Sequence, residues 1–214
     1  MAMGALRCEC FPCGPIETNF YVLWDPNTFC SVLVDAPPES FSAYENFSRR
    51  QPNKPQAMLL THGHWDHMAE AAKFQKTLPL PVYVGAGDAD WVRHPEIMGD
   101  YVFGNVEIFP CEADMLLSDG AQLKFLNHNW LVRTVAGHTP GGLVYAIPGE
   151  DIAFTGDSIF RGSVGRSDLP GGDGNLLVAQ LRDRMRSFSP KMRLYPGHGP
   201  ATTVGNEMDG NPFL

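Results

Sequence analysis

The sequence predicts an α+β fold of two halves, each a run of short strands followed by helices, with the two sheets packed face to face and the helices outside. Short apolar runs recur between Gly, Pro and Asn turn signals along the whole chain. Amphipathic stretches follow them in each half. In four places an apolar run ends by delivering His or Asp into a loop, three of these loops rich in Gly and Pro, and loops at one rim of a rigid sheet are where sites are built.

With 214 residues, 43% of them hydrophobic, the chain can fill one core, so one domain over 1–214 is expected. Residues 6–12, 19–24 and 29–35 read as strands of an antiparallel start, the last two joined by Asp25-Pro26-Asn27. Leu6, Cys8 and Cys10 alternate as a strand does. With no second Cys pair at zinc-finger spacing, Cys8, Cys10 and Cys13 read as strand residues rather than a metal clip. A helix over 38–50 opens on proline. Strand 57–61 feeds the densest cluster of chemistry, and a helix over 68–76 follows it. Strand 81–84 and a short helix over 88–92, stopped by Pro95, lead into the irregular aromatic stretch 94–110, which is expected to pack over the core or a cleft. A hairpin over 121–126 and 130–136 turns across Asn127-His128-Asn129, which sets His128 aside from any site, while the isolated His94 reads as surface. Strands 143–147 and 152–155 flank Pro148-Gly149, and a long glycine loop runs to Gly174. Asn175 is expected to cap a helix to Phe188 with Leu177, Leu181 and Met185 on one stripe; 193–195 is the last strand.

Chemistry concentrates at His62-Gly-His64-Trp-Asp66-His67, where three of the 7 histidines fall within six positions. Neutral imidazole and carboxylate are good donors for zinc, iron or manganese. Residues two apart on an extended loop point the same way, so His62 and His64 can grip one ion. Asp66 and His67 come where helical periodicity begins and turn to another side, where a second ion fits. Further along, Val135-Ala-Gly-His-Thr-Pro-Gly-Gly142, Phe154-Thr-Gly-Asp-Ser-Ile-Phe160 and Tyr195-Pro-Gly-His-Gly-Pro200 supply His138, Asp157 and His198. Glycines in such loops let backbone approach a metal cluster closely.

This set of residues resembles the metallo-β-lactamase superfamily across most of the chain. The segment Gly156-Asp-Ser-Ile-Phe-Arg-Gly-Ser-Val-Gly-Arg-Ser-Asp-Leu-Pro-Gly-Gly-Asp173 and the closing Asn211-Pro-Phe-Leu214 are similar to its short, single-domain glyoxalase II-like branch, the hydroxyacylglutathione hydrolases. The resemblance implies a four-layer αβ/βα sandwich. It also implies one ion on His62, His64 and His138, a second on Asp66, His67 and His198, and Asp157 bridging both, the ions being zinc with iron or manganese as alternatives. Asp35 in the family pattern supports the metal loop; read by itself, it simply starts a turn before Pro37-Pro38. Such an ion pair brings the pKa of a bound water from about 15.7 towards about 7 and polarises the carbonyl under attack. Asp157 as bridge and Asp66, first a ligand and secondly a proton relay, are the catalytic candidates. A thiol of pKa about 8.5 departs without an acid, so a small thioester such as S-lactoylglutathione suits this equipment.

Arg166 stands nine residues after Asp157, where the glyoxalase II pattern has a lysine that contacts glutathione; it either meets a substrate carboxylate or pairs with Asp168 or Asp173. Phe160 and Trp65 are expected to wall the cleft. Only 16 residues follow His198, so the helical glutathione-binding domain of full-length glyoxalase II is not expected. The alternatives within the resemblance are a mononuclear iron persulfide dioxygenase and a lactone hydrolase, the latter opposed by Phe160 where a Tyr is common. A β-lactamase reading is opposed by the lack of an export signal and by Asp157 where several of those enzymes carry Cys.

The net charge of −8 and the lack of any Lys/Arg cluster beyond Arg182, Arg184 and Arg186 argue against nucleic acid. No apolar run approaches a membrane span, and the opening residues do not form a signal peptide. With the odd count of five cysteines, this gives the expectation of a cytoplasmic enzyme with a small-molecule substrate and no membrane partner.

Overall fold

A computed structural model describes residues 6–214. The first sheet runs in sequence order through β1 (Arg7–Cys13), β2 (Thr18–Trp24), β3 (Cys30–Val34), β4 (Lys54–Leu59), β5 (Val82–Gly85) and β6 (Met115–Leu117). Its first three strands are antiparallel, and β3 to β6 are parallel. The second sheet has the order β14-β13-β10-β9-β8-β7, from β7 (Gln122–Phe125), β8 (His128–Thr134), β9 (Leu143–Ile147), β10 (Ile152–Gly156), β13 (Arg193–Pro196) and β14 (Thr202–Thr203). A two-stranded ribbon, β11 (Ile159–Phe160) and β12 (Ser163–Val164), stands apart.

The pleat explains the layering. Along β2, Tyr21 and Leu23 face the second sheet, where they meet Trp130, Tyr145 and Phe154. Their neighbours Phe20, Val22 and Trp24 face the other way, into a cluster with Phe41, Tyr44 and Phe47 of α1 (Ser40–Arg50) and Phe74 of α3 (Ala71–Thr77). On the far side, α5 (Gly174–Arg186) lays Leu177, Leu181 and Met185 on Val144, Ala146, Ala153 and Leu194. Burying each such side chain is worth about 1.5–3 kcal/mol. The result is helix, sheet, sheet, helix, the sandwich expected from the sequence.

Several local readings need correction. The helix after the first loop is two pieces, α2 (Trp65–Met68) and α3, because Glu70 leaves helical geometry and turns its carboxylate to accept from the Phe41 N–H at 2.7 Å. The cap of α5 is Asp173, whose side chain accepts from Leu176 N; Asn175 lies inside the first turn. The hairpin turn is Leu126-Asn127, both with positive φ, so His128 begins β8 rather than sitting in the turn. Pro95 ends α4 (Ala89–Arg93) but also starts a 3-10 helix over Pro95–Tyr101. β6, the β11–β12 ribbon and α6 (Val204–Gly210) were not foreseen; these strands have two or three residues each, too few to show alternation. Cys8, Cys10 and Cys13 lie on β1 as read, at the sheet edge. Among the described residues no helix is long and apolar enough to cross a membrane.

Candidate metal centre

The strands end at one rim, and their loops bring the seven sequence-predicted donors together. His62 and His64 follow β4, and His64, in extended backbone, is the N-cap of α2, whose first turn carries Asp66 and His67. His138 comes from the loop after β8, Asp157 from the loop after β10 and His198 from the loop after β13. The crossing is tight: a Cβ on Gly197 would strike the Asp157 carboxylate and the His67 ring.

Two trios of donors result. His62 Nε2 lies 3.1 Å from His64 Nδ1 and 3.2 Å from His138 Nε2. Asp66 Oδ2 lies 3.2 Å from His67 Nε2 and 3.3 Å from His198 Nε2. Asp157 stands between them, with Oδ1 3.3 Å from His67 Nε2 and Oδ2 3.6 Å from His138 Nε2 and 3.5 Å from His198 Nε2. Tetrahedral bonds of about 2.0–2.1 Å to one ion separate the ligand atoms by roughly 3.3–3.4 Å. The separations in both trios fit that geometry. His67 Nε2 and Asp157 Oδ1 are also buried without a hydrogen-bond partner, an arrangement that a cation between them relieves.

The outer nitrogens fix which tautomer faces inward. His67 Nδ1 donates to Asp35 at 2.8 Å, His138 Nδ1 to the Arg166 carbonyl at 2.7 Å and His198 Nδ1 to the Ile16 carbonyl at 3.2 Å. The Thr61 hydroxyl gives its proton to Asp35, so it accepts from His62 Nδ1 at 3.1 Å. Each of these four rings therefore turns its Nε2 inward, as the atom that ligates once it carries no proton. Of the two readings of Asp35, support of the metal loop is the one the geometry favours, since this buried carboxylate also accepts from Thr61 N at 2.7 Å.

Electrostatics separate the trios. Burial, then the neighbouring imidazoles, pushes His62 well down, and burial with His138 takes His64 to about 3. Burial works against charge on His67, but Asp66, Asp157 and Asp35 outweigh it and hold His67 well above its usual value. His198 is also opposed by burial, yet hydrogen bonds to Asp157 and Asp66 lift it to about 9. Burial alone would raise the two aspartates; His67 reverses that and keeps both well below the carboxylate range.

Sequence reasoning missed three supports. Asp88, fully buried, accepts from Gly63 N at 2.9 Å, Thr139 Oγ1 at 2.6 Å and Gly141 N at 2.6 Å, stapling the His62–His64 loop to the His138 loop. It ends Val84-Gly-Ala-Gly-Asp88, the same strand, glycine, acid pattern that marked the ligands, so the signal was present. Trp91 stacks on His64 with centroids 5.6 Å apart, and Thr18 donates to Asp66 Oδ2 at 2.8 Å; neither carries a sequence signal. His94 is exposed beside Glu96, and His128 lies by Glu150, so neither joins the centre.

A family model described as the metallo-beta-lactamase superfamily matches residues 13–198. The chain belongs to this superfamily. Membership makes it a metallo-hydrolase that uses divalent metal. The chain is 27% identical to hydroxyacylglutathione hydrolase GloC of Haemophilus influenzae over 212 residues, 98% of each protein. The crystal structure of BLEG-1 B3 metallo-beta-lactamase superposes with a TM-score of 0.90 at 34% identity, covering 97% of this chain and 99% of that one. A di-iron-bound form of TTHA1623 does so at 0.78 and 33%, covering 96% and 100%.

Beside the superfamily centre opens a cleft of about 690 Å³, with Trp65, Phe160, Tyr101, Phe103 and Arg166 in its lining. Phe160 meets His198 edge-on, with centroids 6.1 Å apart. The Arg166 guanidinium pairs with Asp168 through two 2.7 Å bonds, whereas Asp173 caps α5 instead.

Proposed function

We propose that this superfamily member is a thioester hydrolase of the hydroxyacylglutathione type. In this reading His62, His64 and His138 hold one divalent ion and Asp66, His67 and His198 a second, with Asp157 shared. Zinc is the first choice of metal; iron or manganese suits the same donors. The observation that carries the reading is the cleft wall. Among the described residues, its ionisable side chains beyond the donors are Asp100, Tyr101 and Arg166, and none hydrogen-bonds to a donor residue through its side chain. The described residues thus place no dedicated acid at the centre, which a thiolate leaving group does not need and an amine or alkoxide does. The Haemophilus influenzae relative, named for this activity, supports the same choice.

Divalent ions, when bound, supply Lewis acidity and make water a nucleophile near neutral pH. The protein contributes the rest. Asp35, Thr61 and the carbonyls of Ile16 and Arg166 lock the imidazoles so that no reorganisation is needed on substrate binding. Asp157 couples the trios, and Asp66, oriented by Thr18 on the cleft wall, is the carboxylate positioned to relay a proton. Arg166 offers a cation to a substrate carboxylate, sharing it with Asp168.

The likeness to BLEG-1 favours a second reading, β-lactam hydrolysis. One assay separates the possibilities: thiol release from S-lactoylglutathione by purified, metal-quantified protein, run beside a chromogenic cephalosporin. Thiol release with about two metals per chain is the expected result. Cephalosporin turnover without thiol release would replace it by the second reading, and oxygen uptake on a persulfide with one iron would replace both.

A further inference from the structure

The segment after α4 holds a concentration of exposed apolar surface that packing within the chain does not explain. Along Pro95–Tyr101 and the irregular residues after it, Met98 turns inward, but Tyr101 is 40% and Phe103 61% exposed. Both line the cleft, and the Phe103 ring stands 6.5 Å from that of buried Trp65. Grouped exposed aromatics beside a site mark a surface that a ligand covers. Among the described residues, Asp100 and Arg166 are the charged groups of this lining outside the donor set, and the Arg166 side chain is 58% exposed.

An apolar wall at Phe103 and Trp65 and a cation at Arg166 share one cleft, and each suits a different part of the substrate. The thiol part of an acylglutathione carries carboxylates, which belong at the arginine. An exposed ion pair such as Arg166–Asp168 is screened by solvent and weak, and guanidinium has five donors, so an incoming carboxylate can share it. The acyl group is then left to the aromatic wall.

Resting on the thioester reading above, we propose that Phe103 and Tyr101 are specificity-determining residues, and that the enzyme acts on thioesters whose acyl group carries a bulky apolar substituent, in preference to a lactoyl group. Phe103 and Tyr101 cover that substituent against Trp65, and its burial lowers the barrier only if the contact persists in the transition state.

The test compares S-mandeloylglutathione with S-lactoylglutathione, which differ by phenyl for methyl, on the metal-loaded enzyme. We expect kcat/KM to favour the mandeloyl ester by about tenfold or more. Phe103→Ala and Tyr101→Ala should each reduce that ratio several-fold, and Phe103→Leu should restore part of it, because Leu returns apolar area. Met115→Ala, an exposed apolar residue of β6 outside the cleft lining, controls for general effects and should leave the ratio unchanged. Equal turnover of both esters, or a ratio untouched by Phe103→Ala, would overturn the inference while leaving the thioesterase standing. Turnover of neither would overturn both.

Discussion

The two donor trios sit side by side yet are built on opposite principles. His62, His64 and His138 form the neutral trio, neutral in the sense that it holds no carboxylate of its own: burial disfavours charge on His62 and His64, and supports come from the Thr61 hydroxyl, the Arg166 carbonyl, the Asp88 staple and the Trp91 ring. Asp66, His67 and His198 form a charged trio, in which carboxylates and imidazoles hold each other in ionised states. The first is ready to bind a cation as it stands. The second must exchange protons for one. Preorganisation is thus reached by packing on one side of Asp157 and by charge on the other.

Breaking the comparison altogether takes the residue that stands between the trios. Asp157→Ala should reduce bound metal from about two per chain and lower kcat by on the order of 10³, the upper end for losing one electrostatic group at a reacting centre. Full activity with two bound ions would refute the shared role proposed for Asp157. Next in size is Asp88→Ala, which removes an acceptor from three buried donors. At about 1–3 kcal/mol for each donor left unsatisfied, it should cost roughly 3 kcal/mol or more in chemical denaturation, and weaken the neutral trio's metal affinity more than the charged trio's.

The pH dependence of the metal-stripped protein sharpens the contrast. His198 has a folded pKa of about 9, above its ordinary 6.5, so its contribution is full below pH 6.5 and is lost as pH rises through about 9. His64, lowered to about 3, behaves oppositely: its contribution is present above pH 6.5 and lost as pH falls towards 3. Denaturation midpoints of stripped protein should therefore peak near about pH 6.5, and metal should abolish the alkaline decline because it replaces the proton on His198. A flat profile would contradict the charged trio. The smallest effect is expected from Thr18→Val, which frees one oxygen of Asp66: about tenfold weaker metal binding at the charged trio and none at the neutral one, measured by competition with a chelator.

The same contrast decides what the sequence discloses. Each of the seven donors was legible because metal chemistry restricts residue type and the chain delivers each at the end of an apolar run. The sheets were legible for a similar reason, since strands such as β9 and β10 are buried along nearly their whole length. Supports were harder to see. Thr18, which opens β2, and the Ile16 carbonyl in the turn before it reach the centre from more than forty residues away in sequence, and a backbone carbonyl leaves no mark on residue identity. Where competing local bonds decide the structure, reading also failed: Glu70 broke a helix that its alanines favour by capping α1 instead, and two positive φ angles moved the hairpin turn by one residue.

The most direct test of the account is a stepwise zinc titration of metal-stripped protein, with thiol release from S-lactoylglutathione read at each addition. A dinuclear thioesterase with one trio ready and one proton-occupied should bind the first equivalent with little activity and gain most of its rate with the second. Full rate at one equivalent, or none at two, would contradict it.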